Sequence, residues 1–297
     1  MTKNLNDYPL WTAVVTPMNE DSSVDYQSFE KLLREQEGAK NGVVVLGSTG
    51  EALNLSKAEM KKILELTMKL KLSVPVMTGI GGYNLEETKE YLTYLETLPL
   101  DAYLLVTPLY AKPGEHGQTH WFKSLMDIAT KPCMLYNVPS RTGVKMNFNA
   151  VKNLANHKNF WAIKEASGSV EDFKKYGNMN PNARMYSGDD GMVPDFTPFN
   201  CKGLVSVASN TWPSETHLYV EKALAQKLTP AEAQLWKDAC DTLFIAANPV
   251  PVKNLLFNQK KIKTKTMRAP LHHADLMDNS PLIDADIKIK SWFKENI

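Results

Sequence analysis

Phe160-Trp161-Ala162-Ile163-Lys164-Glu165-Ala166-Ser167 is a short, largely apolar run with a lysine in its middle, closed by Gly168. Apolar residues up to Ile163 mark a buried strand, and alternation along it puts Phe160, Ala162, Lys164 and Ala166 on one face. Trp161, Ile163 and Glu165 take the other. A lysine is rarely buried without a partner or a task. Burial disfavours an ammonium, and a buried amine that is partly neutral attacks carbonyls. Read alone, the lysine is more simply structural, snorkelling from a strand end or pairing with an acid.

Working outward, similar apolar, β-branched runs recur at 12–16, 42–46, 74–79, 102–107, 133–138, 185–187 and 203–207. With 160–166 they make eight candidate strands, most of them continuously apolar, as parallel strands covered on both sides are. Helical patterns separate them. Phe29, Leu32 and Leu33 follow Asp25 at helical spacing. Ser56-Lys57-Ala58-Glu59 is a capping box, and Asn84 opens another helix. Phe122, Leu125, Met126 and Ile128 give one more apolar face, within 120–129. Eight βα units in succession predict an α/β fold, a (β/α)8 TIM barrel, in preference to a doubly wound sheet. Beyond about Leu218 the pattern is purely helical. Thr229-Pro230-Ala231-Glu232 is a strong start, and Leu235, Trp236, Ala239, Leu243, Phe244 and Ala247 continue one face. The expected division is a barrel over 1–217 and a C-terminal helical domain over 218–297.

The 297 residues carry 34 basic and 33 acidic side chains, for a net charge of +1, with 43% hydrophobic and 23% charged residues. That balance asks for neither nucleic acid nor a membrane surface as partner. No apolar run approaches the length of a membrane span. The start, Met1-Thr2-Lys3-Asn4-Leu5-Asn6-Asp7, has no apolar signal core, so a cytoplasmic protein is expected. Cys133, Cys201 and Cys240 are few and scattered, which fits a reducing compartment and argues against a disulfide framework or a zinc site. His272-His273 reads as a surface pair whose rings point apart in a regular element. Lys260-Lys261-Ile262-Lys263-Thr264-Lys265 reads as a solvated loop.

In a barrel the chemistry lies at the carboxyl ends of the strands. The second strand ends in Gly47-Ser48-Thr49-Gly50-Glu51, where hydroxyls and backbone amides can converge on an anion, though a plain tight turn has the same composition. It lacks the lysine of a nucleotide phosphate loop. The fourth ends in Thr107-Pro108-Leu109-Tyr110, and the fifth in Tyr136-Asn137-Val138-Pro139-Ser140-Arg141-Thr142-Gly143. Arginine grips a carboxylate with a planar fork, and a tyrosine hydroxyl can relay protons. The seventh ends in Ser187-Gly188-Asp189-Asp190. Gly188 allows close approach of a ligand, and the two aspartates have no third metal ligand at matching spacing, so loop support comes first for them. A lysine nucleophile, hydroxyls and an arginine, with no metal and no cofactor, make a set for Schiff-base chemistry on a 2-oxo acid. A protonated imine is an electron sink, so the adjacent carbon can lose a proton and the resulting enamine can attack an aldehyde.

Gly47–51, 136–143, Ile163-Lys164-Glu165-Ala166, Ser187-Gly188-Asp189-Asp190 and Asn248-Pro249-Val250-Pro251-Val252-Lys253, taken in order over essentially the whole chain, resemble the signatures of the dihydrodipicolinate synthase family. The turn and the lysine strand are shared with the wider pyruvate-dependent class I aldolases, which include N-acetylneuraminate lyases. The stretch 136–143, with Arg141, is more specific to the synthases. The resemblance implies condensation of pyruvate with L-aspartate 4-semialdehyde on the route to diaminopimelate and lysine, in a homotetramer built from two tight dimers. It implies that Lys164 forms the Schiff base and Tyr136 is its acid/base. Ser48 and Thr49 would belong to the proton relay, with Thr49 also on the pyruvate carboxylate. Tyr110 would cross the dimer interface to complete the neighbour's relay, Arg141 would hold the semialdehyde carboxylate, and Gly188 and Val205 would line the pocket.

Two departures from the family pattern stand out. Serine replaces the frequent threonine at Ser48, which keeps the hydroxyl and loses the β-branch. Where lysine-sensitive members carry polar, histidine and aromatic residues, this chain has Ala52, Leu53, Lys57, Met60 and Leu109, so weak or absent feedback by lysine is expected. Two alternatives to the synthase stay open at this point: a lyase for N-acetylneuraminate or a 2-keto-3-deoxy sugar acid, which Arg141 disfavours, and a non-catalytic barrel that binds a small carboxylate.

Overall fold

The computed structural model describes residues 3–297; Met1 and Thr2 lie outside the described residues. Eight parallel strands close into a barrel in chain order: β1 (Leu10–Ala13), β2 (Gly42–Val45), β3 (Val76–Ile80), β4 (Ala102–Val106), β5 (Cys133–Asn137), β6 (Phe160–Glu165), β7 (Arg184–Ser187) and β8 (Cys201–Ser206). Closure is made by β1 on β8, with Trp11 opposite Val205. The expected (β/α)8 barrel is the observed fold. Strand ends shift for local reasons. β3 starts after Pro75, whose missing N–H cannot join the ladder. β1 runs two residues earlier and stops at Ala13, because the Val15 N–H turns to the Asn210 side chain at 3.0 Å instead of a neighbouring strand.

Two cores result. Trp11, Val44, Met77, Leu104, Met134, Ala162, Tyr186 and Val205 fill the barrel, while a larger shell packs the strands against the helices. Strand β6 departs from simple alternation. A bulge opposite Cys133 and Met134 leaves Phe160 in the outer shell and turns Trp161 against the inner core, its ring centroid 6.0 Å from Trp11. Phe160 therefore does not share the face of Lys164; the extra residue resets the alternation before Ala162.

The helix starts expected at Ser56, Asn84 and Thr229 are all present, the first and third as full capping boxes, and Asp25 caps the helix that carries Phe29, Leu32 and Leu33. The helix from Thr229 ends at Thr242, earlier than its apolar pattern suggests. Phe244 and Ala247 are exposed, since the chain leaves the helical path to bring Asn248 and Pro249 back over the barrel. Helix Pro213–Leu224 runs through the expected boundary at 217, and helices Val250–Asn258 and Ser280–Asn296 complete the chain. His272 and His273 stack at 4.4 Å, because they enter a short 3-10 turn and not an extended strand. The loop 260–265 is tied down as well as solvated: Lys261 pairs with Glu35 at 2.7 Å, Lys263 with Asp25 at 3.4 Å, and Ile262 is buried. No helix among the described residues is long and apolar enough to cross a membrane.

Candidate active site

Lys164 lies on the inner face of β6 near its carboxyl end and is 5% exposed. Its register partner across β5 is Tyr136, also buried, and the Lys164 Nζ stands 4.2 Å from the centre of the Tyr136 ring. Among the described residues the ammonium makes no salt bridge, so the aromatic face is its charge partner. Gly188 abuts it from the turn directly after β7. A Cβ there would come within 2.8 Å of the Lys164 Cε and 2.5 Å of the Ala166 Cβ. Only a glycine leaves the lysine this path, which gives close approach of chain to chain as the physical reason for the residue.

Acidic side chains flank the strand ends near Lys164. Glu165, on the outer face of β6, accepts from Asn137 Nδ2 at 2.6 Å and from the Ser167 N–H at 2.9 Å, and burial raises its pKa. Asp190 is buried and accepts from Ser206 Oγ and the N–H groups of Val207 and Ala208, fastening the end of β8. Asp189 accepts from the Gly168 N–H at 2.9 Å. Both aspartates thus support loops. Burial, followed by the charge of Glu165, moves the Asp189 carboxyl from 3.8 to about 6. A raised carboxyl pKa means the folded state holds a proton the unfolded chain has released, so this group's contribution to stability falls between about pH 4 and about pH 6. Asp189→Asn should flatten that part of the curve; thermal melting of both forms across the window reads it, and identical slopes would contradict it.

Thr49 is buried at the end of β2, and its Oγ accepts from Asn248 Nδ2 at 3.0 Å. Arg141 sits in the turn after β5, exposed, with one guanidinium nitrogen donating to the Asn248 carbonyl at 3.2 Å. Asn248 thus touches both residues, although the sequence marked it only as part of a motif. Nothing local predicted this, because the partners lie 199 and 107 residues away. Ser48 is exposed beside Thr49, and Val205 is fully buried in the inner core opposite Trp11. Tyr110 is 90% exposed in a left-handed backbone conformation, so within one chain it is not gathered with the others. The turn carrying Thr49 is held from below by Glu51, which forms a fully buried ion pair with Lys253. Burial lowers the Lys253 pKa, opposed by Glu51. No group of three or more His, Cys, Asp or Glu side chains gathers at metal-binding distance among the described residues.

The model of the dihydrodipicolinate synthetase family matches residues 8–288. The chain belongs to this family. It is 46% identical to the 4-hydroxy-tetrahydrodipicolinate synthase of Francisella tularensis subsp. novicida, over 96% of each chain. Among solved structures, the chloride-inhibited dihydrodipicolinate synthase of Acinetobacter baumannii, complexed with pyruvate, is similar at a TM-score of 0.89 and 30% identity, covering 95% of this chain and 99% of that one. The Cyanidioschyzon merolae enzyme, solved with lysine bound, is similar at 0.88 and 28%, covering 97% and 99%. The family's activity, 4-hydroxy-tetrahydrodipicolinate synthesis in the diaminopimelate and lysine pathway, is this chain's, and it is a lyase. The sugar-acid lyase and the non-catalytic barrel give way to it.

Proposed function

We propose that Lys164 condenses with pyruvate and that the adduct attacks L-aspartate 4-semialdehyde. The observation that carries this is a buried lysine that faces the barrel interior against an aromatic ring and makes no salt bridge among the described residues. The amine attacks the pyruvate C2, and loss of water leaves a protonated imine. A methyl proton then departs, and the imine nitrogen takes up the electron pair as an enamine. The enamine carbon bonds to the semialdehyde aldehyde carbon, whose oxygen takes a proton. The substrate's own amine can then displace Lys164 and close the ring. Tyr136, whose ring lies against Lys164, moves the proton at the imine, with Thr49 and Ser48 continuing the relay and Thr49 also holding the pyruvate carboxylate. Arg141 holds the second carboxylate. Gly188 and Val205 shape the pocket. Treatment with pyruvate and borohydride should add one reduced adduct at Lys164, seen by peptide mass; an adduct elsewhere, or none, would sink the assignment.

The relay needs a further hydroxyl, and Tyr110 is available on the surface to enter a second copy's site, as a homotetramer of two tight dimers requires. The barrel, 1–217, supplies the reacting groups and the helical part, 218–297, supplies Asn248 and Lys253. A cytoplasmic location suits the three free, buried cysteines. Lysine feedback should be weak. Lys57 is an exposed cation, Leu53 is 74% exposed and Leu109 offers no aromatic wall. Steady-state assays should need lysine above the millimolar range for half inhibition; sub-millimolar half inhibition would overturn this.

A further inference from the structure

We infer that Asn248 is a positioning residue that sets the direction of the Thr49 hydroxyl and couples it to Arg141. The inference rests on the proposed roles of those two residues. Asn248 is 6% exposed and comes from the chain beyond the barrel. Its Nδ2 donates to Thr49 Oγ at 3.0 Å. A hydroxyl has one proton to give. With its oxygen already accepting from Asn248, Thr49 is left to donate towards the pocket, where a 2-oxo acid's carboxylate or the next relay oxygen can receive it. The carbonyl of the same residue accepts from Arg141 at 3.2 Å, which orients the guanidinium and leaves its other donors open. Among the described residues the Oδ1 of Asn248 is buried with no hydrogen-bond partner, so the bond that fixes this amide is the one to Thr49.

The segment is locked in place independently. Lys253, five residues on, pairs with Glu51, two residues after Thr49, and both side chains are fully buried. Asn254 Nδ2 caps back to the Val250 carbonyl at 2.9 Å. The turn and the segment therefore move together, and the two carboxylate grips form one unit with Asn248 at the joint.

Asn248→Asp keeps the shape and replaces the donor by an acceptor, which reverses the bond to Thr49. In the intact protein kcat should fall about a hundredfold, with KM raised for both substrates, and activity should recover in part as pH is lowered and the new carboxyl regains a donor proton. A purely structural role would move the melting temperature without creating that pH limb. Asn248→Ser, which keeps a hydroxyl but not the reach, provides the second variant and should raise both KM values without the pH limb. Values of kcat and both KM within about twofold of wild type in either folded variant, or a changed melting temperature alone, would overturn the inference. Wild type trapped with pyruvate in parallel separates the two failures: without an adduct at Lys164 the reading of the site falls first, and with one the variants judge Asn248 alone.

Discussion

Lys164→Ala should lose turnover by at least about 10⁴-fold, or about 5 kcal/mol of transition-state stabilisation at the usual 1.36 kcal/mol per decade. The side chain has no salt bridge to lose among the described residues, and its aromatic contact is worth about 2 kcal/mol when desolvated. Against that loss stands the relief of a buried charge, so the variant should melt within a few degrees of wild type. Lys164→Arg separates charge from nucleophile: it retains the cation and cannot form an imine. Both variants should be inactive and should show no borohydride-trapped pyruvate. A Lys164→Arg enzyme with appreciable turnover would mean the residue acts only as a charge.

Lys253→Met should be the most destabilising of the changes discussed. The Lys253 and Glu51 side chains have no solvent exposure, and removing one leaves the other charge buried with only weak support, the Arg268 N–H at 3.4 Å from Glu51. Breaking a buried pair from one side costs about 3–5 kcal/mol. In a chain of this size that lowers the melting temperature by about 10 °C. Glu51→Gln combined with Lys253→Met should recover much of the loss, because no uncompensated charge remains. Equal melting of the single and double variants would argue that packing, and not the charge, holds this joint. The single variant should also reduce activity, since Glu51 carries the turn that presents Thr49.

Much of the site was legible beforehand for a simple reason. Lys164, Tyr136, Thr49, Arg141 and Gly188 all sit at strand ends, and a strand's end can be found from its apolar run. In a barrel those ends converge whatever the loops do. The strand with Lys164 departs from simple alternation in one respect. Its bulge sends Phe160 outward and Trp161 inward, and a bulge depends on the neighbouring strand, not on the residues of the strand itself. The helix after Thr229 ends at Thr242 although Phe244 and Ala247 fit its period. Periodicity cannot register the demand that Asn248 return to the barrel.

The residues alone determined the eight strands, the helices after the first four of them, and a lysine in the sixth strand with a tyrosine at the end of the fifth and an arginine after it, because propensity, periodicity and capping act over a few residues. Only the tertiary structure decided that Lys164 rests on the Tyr136 ring, that Gly188 leaves room for it, and that Asn248 joins Thr49 to Arg141. Those contacts span up to 199 residues, and they exist because barrel closure and the packing of the last helices bring distant segments within hydrogen-bond reach.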